Sequence, residues 1–359
     1  MKESCGLSAF WRLAKLRQSE GEQSALRQAL ELAVLMPFYR VGPGFYQMAG
    51  FWKRSMTWAD KTGHLDPDGY RKAVDRLNPA AYRKLSQNKL SETAVFRLSH
   101  VPAPDYLGNF GTLAGQDVDG APLRNADDLA AFFSRFPDGT KICFKPLEGW
   151  AGVGFEVVEL KRDNGALALL RRKTNSLMDV AQFTQQVLIA EHQGSSIVQA
   201  YLEQHPALMA FNPSSVNTIR MWVARTPQGE MKTLLAYLRI GREGSLVDNQ
   251  SSGGIVAPID LDTGVLRAAT DGLYHHHVYP VHPDHGAPIA GEQLPYFDES
   301  KQVAHAALCA FPKTRFAGMD VAIAPDGPKI IETNLSPDRE GAAFVGVPTR
   351  TLLSTQNLG

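Results

Sequence analysis

Apolar residues recur at helical spacing through about residues 23–36, in the run SALRQALELAVLM, and lead into the aromatic-rich PFYRVGPGFYQMAGFWKRSMTW. The N-terminal region is therefore expected to be mainly helical. Phe45, Tyr46, Phe51 and Trp52 stand at mixed spacing, which favours core packing over a docking surface for a carrier or membrane. From Pro79, AAYRKLSQNKLSETAVFRLS predicts another helix, and VPAPDYLG an extended segment where proline stops helix from continuing. Short strand-like runs follow: KICFKP, GFEVVEL, ALALLRR, SIVQAYL, TIRMWVA and KTLLAYLRI, with the helix-like DVAQFTQQVLIAEH among them. Strands with few helices predict an α+β fold. The final TLLSTQNLG reads as a loose tail without chemistry.

Composition narrows the class without changing it. The chain has 359 residues, 44% hydrophobic and 21% charged, enough to bury a core divided into two or three subdomains. Thirty-seven basic residues balance thirty-seven acidic ones, so the electrostatic footprint of a nucleic-acid binder is missing. No uninterrupted apolar stretch reaches the roughly 18 residues of a membrane span, and the opening Met-Lys-Glu-Ser-Cys has no apolar signal core. A cytoplasmic location is expected. Cys5, Cys143 and Cys309 are isolated, suggesting neither disulfide nor zinc site.

The most informative segment is FAGMDVAIAPDGPKIIETNLSPD, in which two apolar runs flank the turn Pro325-Asp326-Gly327 and predict a β-hairpin. Side chains alternate along a strand, so Glu332 and Asn334 share a face, and a register that sets Glu332 opposite Asp320 adds Asp320 to it. Two carboxylates on one sheet face repel and call for a cation; hard oxygen donors of this kind suit magnesium arriving with nucleotide phosphates. A register slip would instead leave the carboxylates solvated. In KICFKPLEGWAGVGFEVVEL a strand ending at Lys145 precedes a loop with Glu148, Gly149, Gly152 and Gly154, and a second strand follows. Strand, glycine loop and strand make a phosphate-covering flap, with Lys145 as the point charge. No Lys-Ser or Lys-Thr follows the glycines, and a strand rather than a helix comes next, which excludes a P-loop and a dinucleotide fingerprint.

Arg220 lies between apolar neighbours in a strand-like run, where a buried arginine needs a partner. It is expected to steady a transferring phosphoryl group or to balance the acidic cluster. NQSSGGI, residues 249–255, suits a loop closing over substrate, or an ordinary turn. His275, His276 and His277 cannot all reach one metal from an extended strand and are expected to face substrate or solvent.

Asp320, Glu332, Asn334, Ser336 and Pro337 are arranged as in the ATP-grasp superfamily, and the hairpin is similar to that of its D-alanine:D-alanine ligases. QNKLSETAVFRLSHVPAPDYLG resembles the superfamily's entry segment, which implies that Lys89 contacts phosphate beside Lys145. IVQAYLEQHPAL resembles the strand joining the two ATP-holding lobes, which implies adenine against Gln199, Ala200, Tyr201 and Leu202, and ribose near Glu203 or His205. SSVNTIRMWV, with Asn217 in the cofactor site and Arg220 in a catalytic role, is similar to the sugar-transfer-associated ATP-grasp subgroup, found with polysaccharide and other biosynthetic genes. The resemblance covers about residues 78–345. The first 77 residues depart from it, lacking the strand-helix alternation usual at the superfamily's N-terminus.

The resemblance implies two α+β lobes holding ATP between antiparallel sheets. The expected division is a helical region at 1–77, an entry segment at 78–140, a small lobe at 141–202, a large lobe with the metal site at 203–345 and a tail at 346–359. The implied activity is an ADP-forming ligase using ATP and Mg2+, joining a small carboxylate to an amine or alcohol through an acyl phosphate, with Lys145 and Arg220 catalytic. Its N-terminal region would dock a biosynthetic partner. A hydroxyl acceptor would instead make it a small-molecule kinase, and a nucleotide-binding scaffold without turnover is the reading from another class.

Overall fold

A computed structural model describes residues 5–149, 152–163, 166–354 and 358. Two seven-stranded antiparallel sheets follow a helical N-terminal region. The first sheet contains β1 (Tyr106–Gly111), β2 (Gln116–Asp117), β3 (Lys141–Pro146), β4 (Glu156–Asp163), β5 (Ala166–Arg171), β6 (Ser176–Met178) and β7 (Ser195–Ala200), in the order β2-β1-β7-β3-β4-β5-β6. The second contains β8 (Thr218–Arg225), β9 (Met231–Ile240), β10 (Ile255–Pro258), β11 (Ala269–Thr270), β12 (Val278–Tyr279), β13 (Phe316–Ala324) and β14 (Gly327–Asn334), ordered β12-β11-β10-β9-β8-β13-β14.

The helix Ala25–Tyr39 starts at Ser24, whose side chain accepts from the Arg27 backbone N–H, a cap that satisfies one otherwise orphaned donor. Its inner face joins Phe10, Phe45, Tyr46, Phe51 and Trp52 in one aromatic core, so Phe45, Tyr46, Phe51 and Trp52 are core and not surface. Inside that region Lys61 Nζ and Tyr46 Oη meet the Glu31 carboxylate at 2.5 and 2.7 Å. His64 packs edge-on against Phe45, and burial lowers its pKa to about 4, so it is held neutral.

The first sheet packs one face on the helices Ala126–Ser134 and Val180–Phe183, through Phe110, Phe133, Phe144, Phe183 and Val198. The second is covered on both faces. Met221, Leu238, Met319 and Val321 meet the helix Phe297–Cys309 on one side, while Trp222, Tyr237 and Phe316 meet Tyr70 of the helix Pro67–Leu77 on the other. Burial on two faces explains why β13 reads as a continuous apolar run. Asn78 locks this packing, donating from Nδ2 to the carbonyls of Phe316 and Leu335, each at 2.7 Å.

Two expectations change. The single helix expected after Pro79 is a 3-10 turn at Ala80–Tyr82 and helices at Lys84–Gln87 and Lys89–Leu98. The break falls at Asn88, an extended residue whose side chain caps the last helix by accepting from the Ser91 N–H. The tail is not loose where it is described: Thr349–Leu352 is helical, and Leu352 and Leu353 are buried against the second sheet. Residues 355–357 and 359 of that run lie outside the described residues.

Candidate functional site

The hairpin of β13 and β14 pairs Asp320 with Glu332 and Gly318 with Asn334, with a bulge just beyond Asp320. Directly opposed residues of an antiparallel pair share a face, so Asp320, Glu332 and Asn334 lie together. Their surroundings differ. Asp320 is buried and accepts from Arg220 Nε and Nη2 and from Arg239 Nη2, the last two at 3.1 and 2.8 Å. Burial alone would raise its pKa, but the two guanidiniums outweigh that and hold it low. Glu332 is half-buried and has no hydrogen bond or ion pair among the described residues. Asn334 Oδ1 accepts the Ser336 N–H at 3.0 Å.

Arg239 extends the charge network. It donates from Nε and Nη2 to Thr218 Oγ1 at 3.0 and 2.7 Å and lies 3.4 Å from Asp248. The Thr218 backbone N–H and hydroxyl both donate to Asp248. Two arginines thus face two aspartates, Arg220, Arg239 and Asp320 on inner strands of the second sheet and Asp248 in the loop after β9. Of the two roles expected for Arg220, the geometry supplies the balancing of the acidic cluster: two of its guanidinium nitrogens are committed to Asp320.

The first sheet contributes Lys145, near the end of β3. Burial lowers its pKa, with only partial compensation from Cys143, then Glu332 and Glu92, and its Nζ has no hydrogen bond or ion pair among the described residues beyond a contact 5.7 Å from the Phe155 ring. Lys89 donates to the Gly149 carbonyl at 3.3 Å, and its own N–H bonds the Leu147 carbonyl at 2.9 Å, so the entry helix is fastened to the glycine loop. One turn on, Glu92 is buried and accepts the Thr333 N–H at 2.7 Å. Burial, then the neighbouring Glu332, pushes its pKa up to about 8. Lys89, Glu92, Lys145 and Glu332 form one mutually interacting group at the seam of the two sheets.

Gly152 and Gly154 have positive φ, at 70° and 74°, in the region that other residues avoid. A Cβ at Gly154 would lie 2.6 Å from Pro146, and one at Gly152 would lie 3.0 Å from Val247 and 3.2 Å from Asn249. The glycine loop therefore touches the segment leading into residues 249–255, which belongs to the other sheet. Trp150 and Ala151 of this loop lie outside the described residues. Glu148 points outward to Lys84, 3.2 Å away.

The strand β7 carries Gln199 and Ala200 beside Cys143 and Ile142 of β3. Tyr201 donates its N–H to the Lys141 carbonyl, and burial raises its hydroxyl pKa to about 12. Leu202 is half-buried, and Glu203 pairs with Lys141 at 2.8 Å on the surface. His205 donates its backbone N–H to Ile323 at 2.7 Å, tying the linker to β13. Asn217 is a correction. It is fully buried, its Nδ2 donates to Gln204, Leu208 and Asn212, and its Oδ1 accepts from Gly241, so its side chain is held inside the large lobe and does not face a nucleotide. His276 is another: it packs on Trp52 and faces the Met48 carbonyl at 3.0 Å, joining the N-terminal region rather than substrate or solvent. His277 remains exposed and pairs with Asp271 at 2.8 Å.

Two groups central to this seam, Arg239 and Glu92, were not singled out by the sequence pattern. Each had a signal: Arg239 interrupts the apolar end of KTLLAYLRI, and Glu92 stands three residues after Lys89 on the same helical face.

Among the described residues no group of three or more His, Cys, Asp or Glu is gathered for a metal. Two carboxylates and an amide oxygen nevertheless fit magnesium, which takes few protein oxygens and completes its shell with phosphates and water. Three of the roughly four acceptor sites on Asp320 are used by arginine. Glu332 is the freer donor.

A family model described as sugar-transfer associated ATP-grasp matches residues 71–351. Among solved structures, the chain is similar to N5-carboxyaminoimidazole ribonucleotide synthetase from Thermotoga maritima, at 13% identity and TM-score 0.41, covering 83% of this chain and 57% of that one. It is also similar to D-alanine–D-alanine ligase from Bacillus anthracis, at 14% identity and TM-score 0.40, covering 76% and 66%. Biotin carboxylase from Campylobacter jejuni gives 12% identity and TM-score 0.45, covering 84% and 55%. The chain thus spans a little over half the length of the first of these structures. No curated protein matches it.

Proposed function

The chain belongs to the sugar-transfer associated ATP-grasp family, and from that premise we propose that it is an ATP-dependent ligase that activates a small carboxylate for attack by an amine or alcohol. The observation that carries this reading is the pair of unanswered charges at the seam. Lys145 from the first sheet has its pKa lowered by burial, Glu332 from the second is half-buried, and neither has an ion-pair partner among the described residues. Such charges are costly unless a ligand answers them.

In this reading ATP lies between the sheets, with its phosphates against Lys89, Lys145 and the N–H groups of the glycine loop, and adenine along Gln199 to Leu202. Glu332 and Asn334, with the last acceptor site of Asp320, would hold magnesium, which neutralises phosphate charge when bound. Arg220 and Arg239 hold Asp320 in place. The substrate carboxylate oxygen bonds to the γ-phosphorus as the bridging oxygen bond to ADP breaks. The amine or alcohol lone pair then attacks the acyl carbon, phosphate leaves with the bonding electrons, and the nucleophile loses a proton.

Incubation with Mg·ATP, hydroxylamine and a panel of amino acids, peptides and sugar acids tests this. Hydroxamate formed by the wild type and lost in Glu332→Gln is the expected result. ADP without hydroxamate or free phosphate would replace the ligase with a kinase acting on a hydroxyl. ATP binding without turnover across the panel would favour a scaffold.

A further inference from the structure

The helices Leu7–Ser19 and Ala25–Tyr39 bury one side in the aromatic core and leave the other uncovered. On the second helix Leu26, Leu30, Val34 and Phe38 recur every fourth residue and are exposed, Leu30 by 62% and Phe38 by 78%. Residues four apart form one stripe of a helix. Leu7 and Trp11 stand beside it, lining with Ala33 and Met36 a groove of about 270 Å³. Contiguous exposed apolar side chains on this scale mark an interaction surface.

The exposed charges of the two helices that have no ion pair among the described residues are both positive. Arg12 and Lys15 are exposed, and the Lys15 ammonium lies 5.7 Å from the Trp11 ring. Neither helix carries an acidic residue except Glu31, and that carboxylate is taken by Tyr46 and Lys61 on its inner side and by Arg27, 3.2 Å away, on its outer side. A second copy of the chain meeting this face would set cation against cation. An anionic bilayer answers both features: apolar side chains enter the acyl boundary, tryptophan sits at the interface, and arginine and lysine meet the headgroups. No helix among the described residues is long and apolar enough to cross a membrane. We propose that this helical pair lies on the surface of an anionic lipid bilayer.

The test is co-sedimentation of the full chain with sucrose-loaded vesicles of phosphatidylcholine and phosphatidylglycerol, against vesicles of phosphatidylcholine alone. The protein is expected to pellet with the anionic vesicles, less so as salt is raised. Arg12→Ala and Lys15→Ala should each weaken binding by about five-fold. Leu30→Asp should abolish it at an unchanged melting temperature, since the side chain is exposed. Failure to pellet with anionic vesicles, or pelleting that Leu30→Asp leaves intact, overturns the proposal. A dimer seen by light scattering and dispersed by Leu30→Asp, without vesicle binding, would also overturn it and assign the face to a second copy.

Discussion

The two sheets treat charge in opposite ways. In the second, Arg220, Arg239, Asp248 and Asp320 are buried or nearly so and satisfy one another. In the first, near the end of the central strand β3, Lys145 has its pKa lowered by burial and has no carboxylate within ion-pair distance among the described residues. A satisfied network rigidifies the strands that carry it, whereas an unsatisfied ion keeps its interaction free for a ligand. Arginine suits the first task, with a planar fork matching a carboxylate; lysine suits the second as a point charge beside phosphate. Glu332 belongs with Lys145 in this division, although it stands on the second sheet.

The largest effect that would sharpen this comparison is the loss of stability in Arg220→Met. Removing one partner of a buried pair leaves an uncompensated charge, here at Asp320, and the expected cost is about 3–5 kcal/mol in a denaturant titration. The double variant Arg220→Met/Asp320→Leu should regain most of it, because both charges are then gone. An Arg220→Met protein as stable as the wild type would break the comparison.

Lys145→Met should behave in the reverse way. Hydroxamate formation from Mg·ATP is expected to fall about 100-fold or more, equivalent to about 2.7 kcal/mol of lost transition-state stabilisation, with the melting temperature unchanged or higher. Methionine keeps the packing of the stem and removes a desolvated ammonium. A melting temperature several degrees lower would show that Lys145 is structural after all.

Much of this division was legible in the sequence because it follows strand periodicity. The turn Pro325-Asp326-Gly327 and the apolar runs beside it made the hairpin legible, but a regular ladder from that turn would set Asp320 opposite Ile331; a bulge at Ile331, which no local pattern announces, brings Glu332 opposite Asp320. The glycine loop between two strands was legible for the same reason. What the pattern hid was partnership. Arg239 reaches Asp320 only because β9 pairs with β8 and β8 with β13, a strand order that no local pattern encodes. Asn217 was misread because its four hydrogen bonds all go to residues brought close by tertiary folding. The helix expected to run unbroken through residues 80–98 failed at Asn88, where a side-chain cap outweighs the helical propensity of its neighbours.

Glu92 lies between the two regimes and gives the smallest effect. It is buried and hydrogen-bonded like the arginine network, yet it faces Glu332 and has its pKa pushed up to about 8. The folded state therefore keeps a proton that the unfolded chain, with an ordinary carboxyl near 4.5, releases as pH rises. Its stabilising contribution is full below that ordinary value and is lost progressively up to the folded one. Each pH unit in this window costs about 1.4 kcal/mol, so the metal-free protein should lose about 2 kcal/mol between about pH 5.5 and about pH 7 relative to Glu92→Gln. Glutamine keeps an oxygen that accepts the Thr333 N–H, so the variant removes the titration and not the bond. His64 imposes the opposite slope, because its pKa is lowered to about 4 and its stabilisation fades as pH falls below about 6.5. It is present in both proteins and cancels in the difference. A flat difference curve would place Glu92 among the ionised, paired groups of the second sheet; a curve falling with pH keeps it a neutral acid at the seam, where a cation or a phosphate changes its charge balance first.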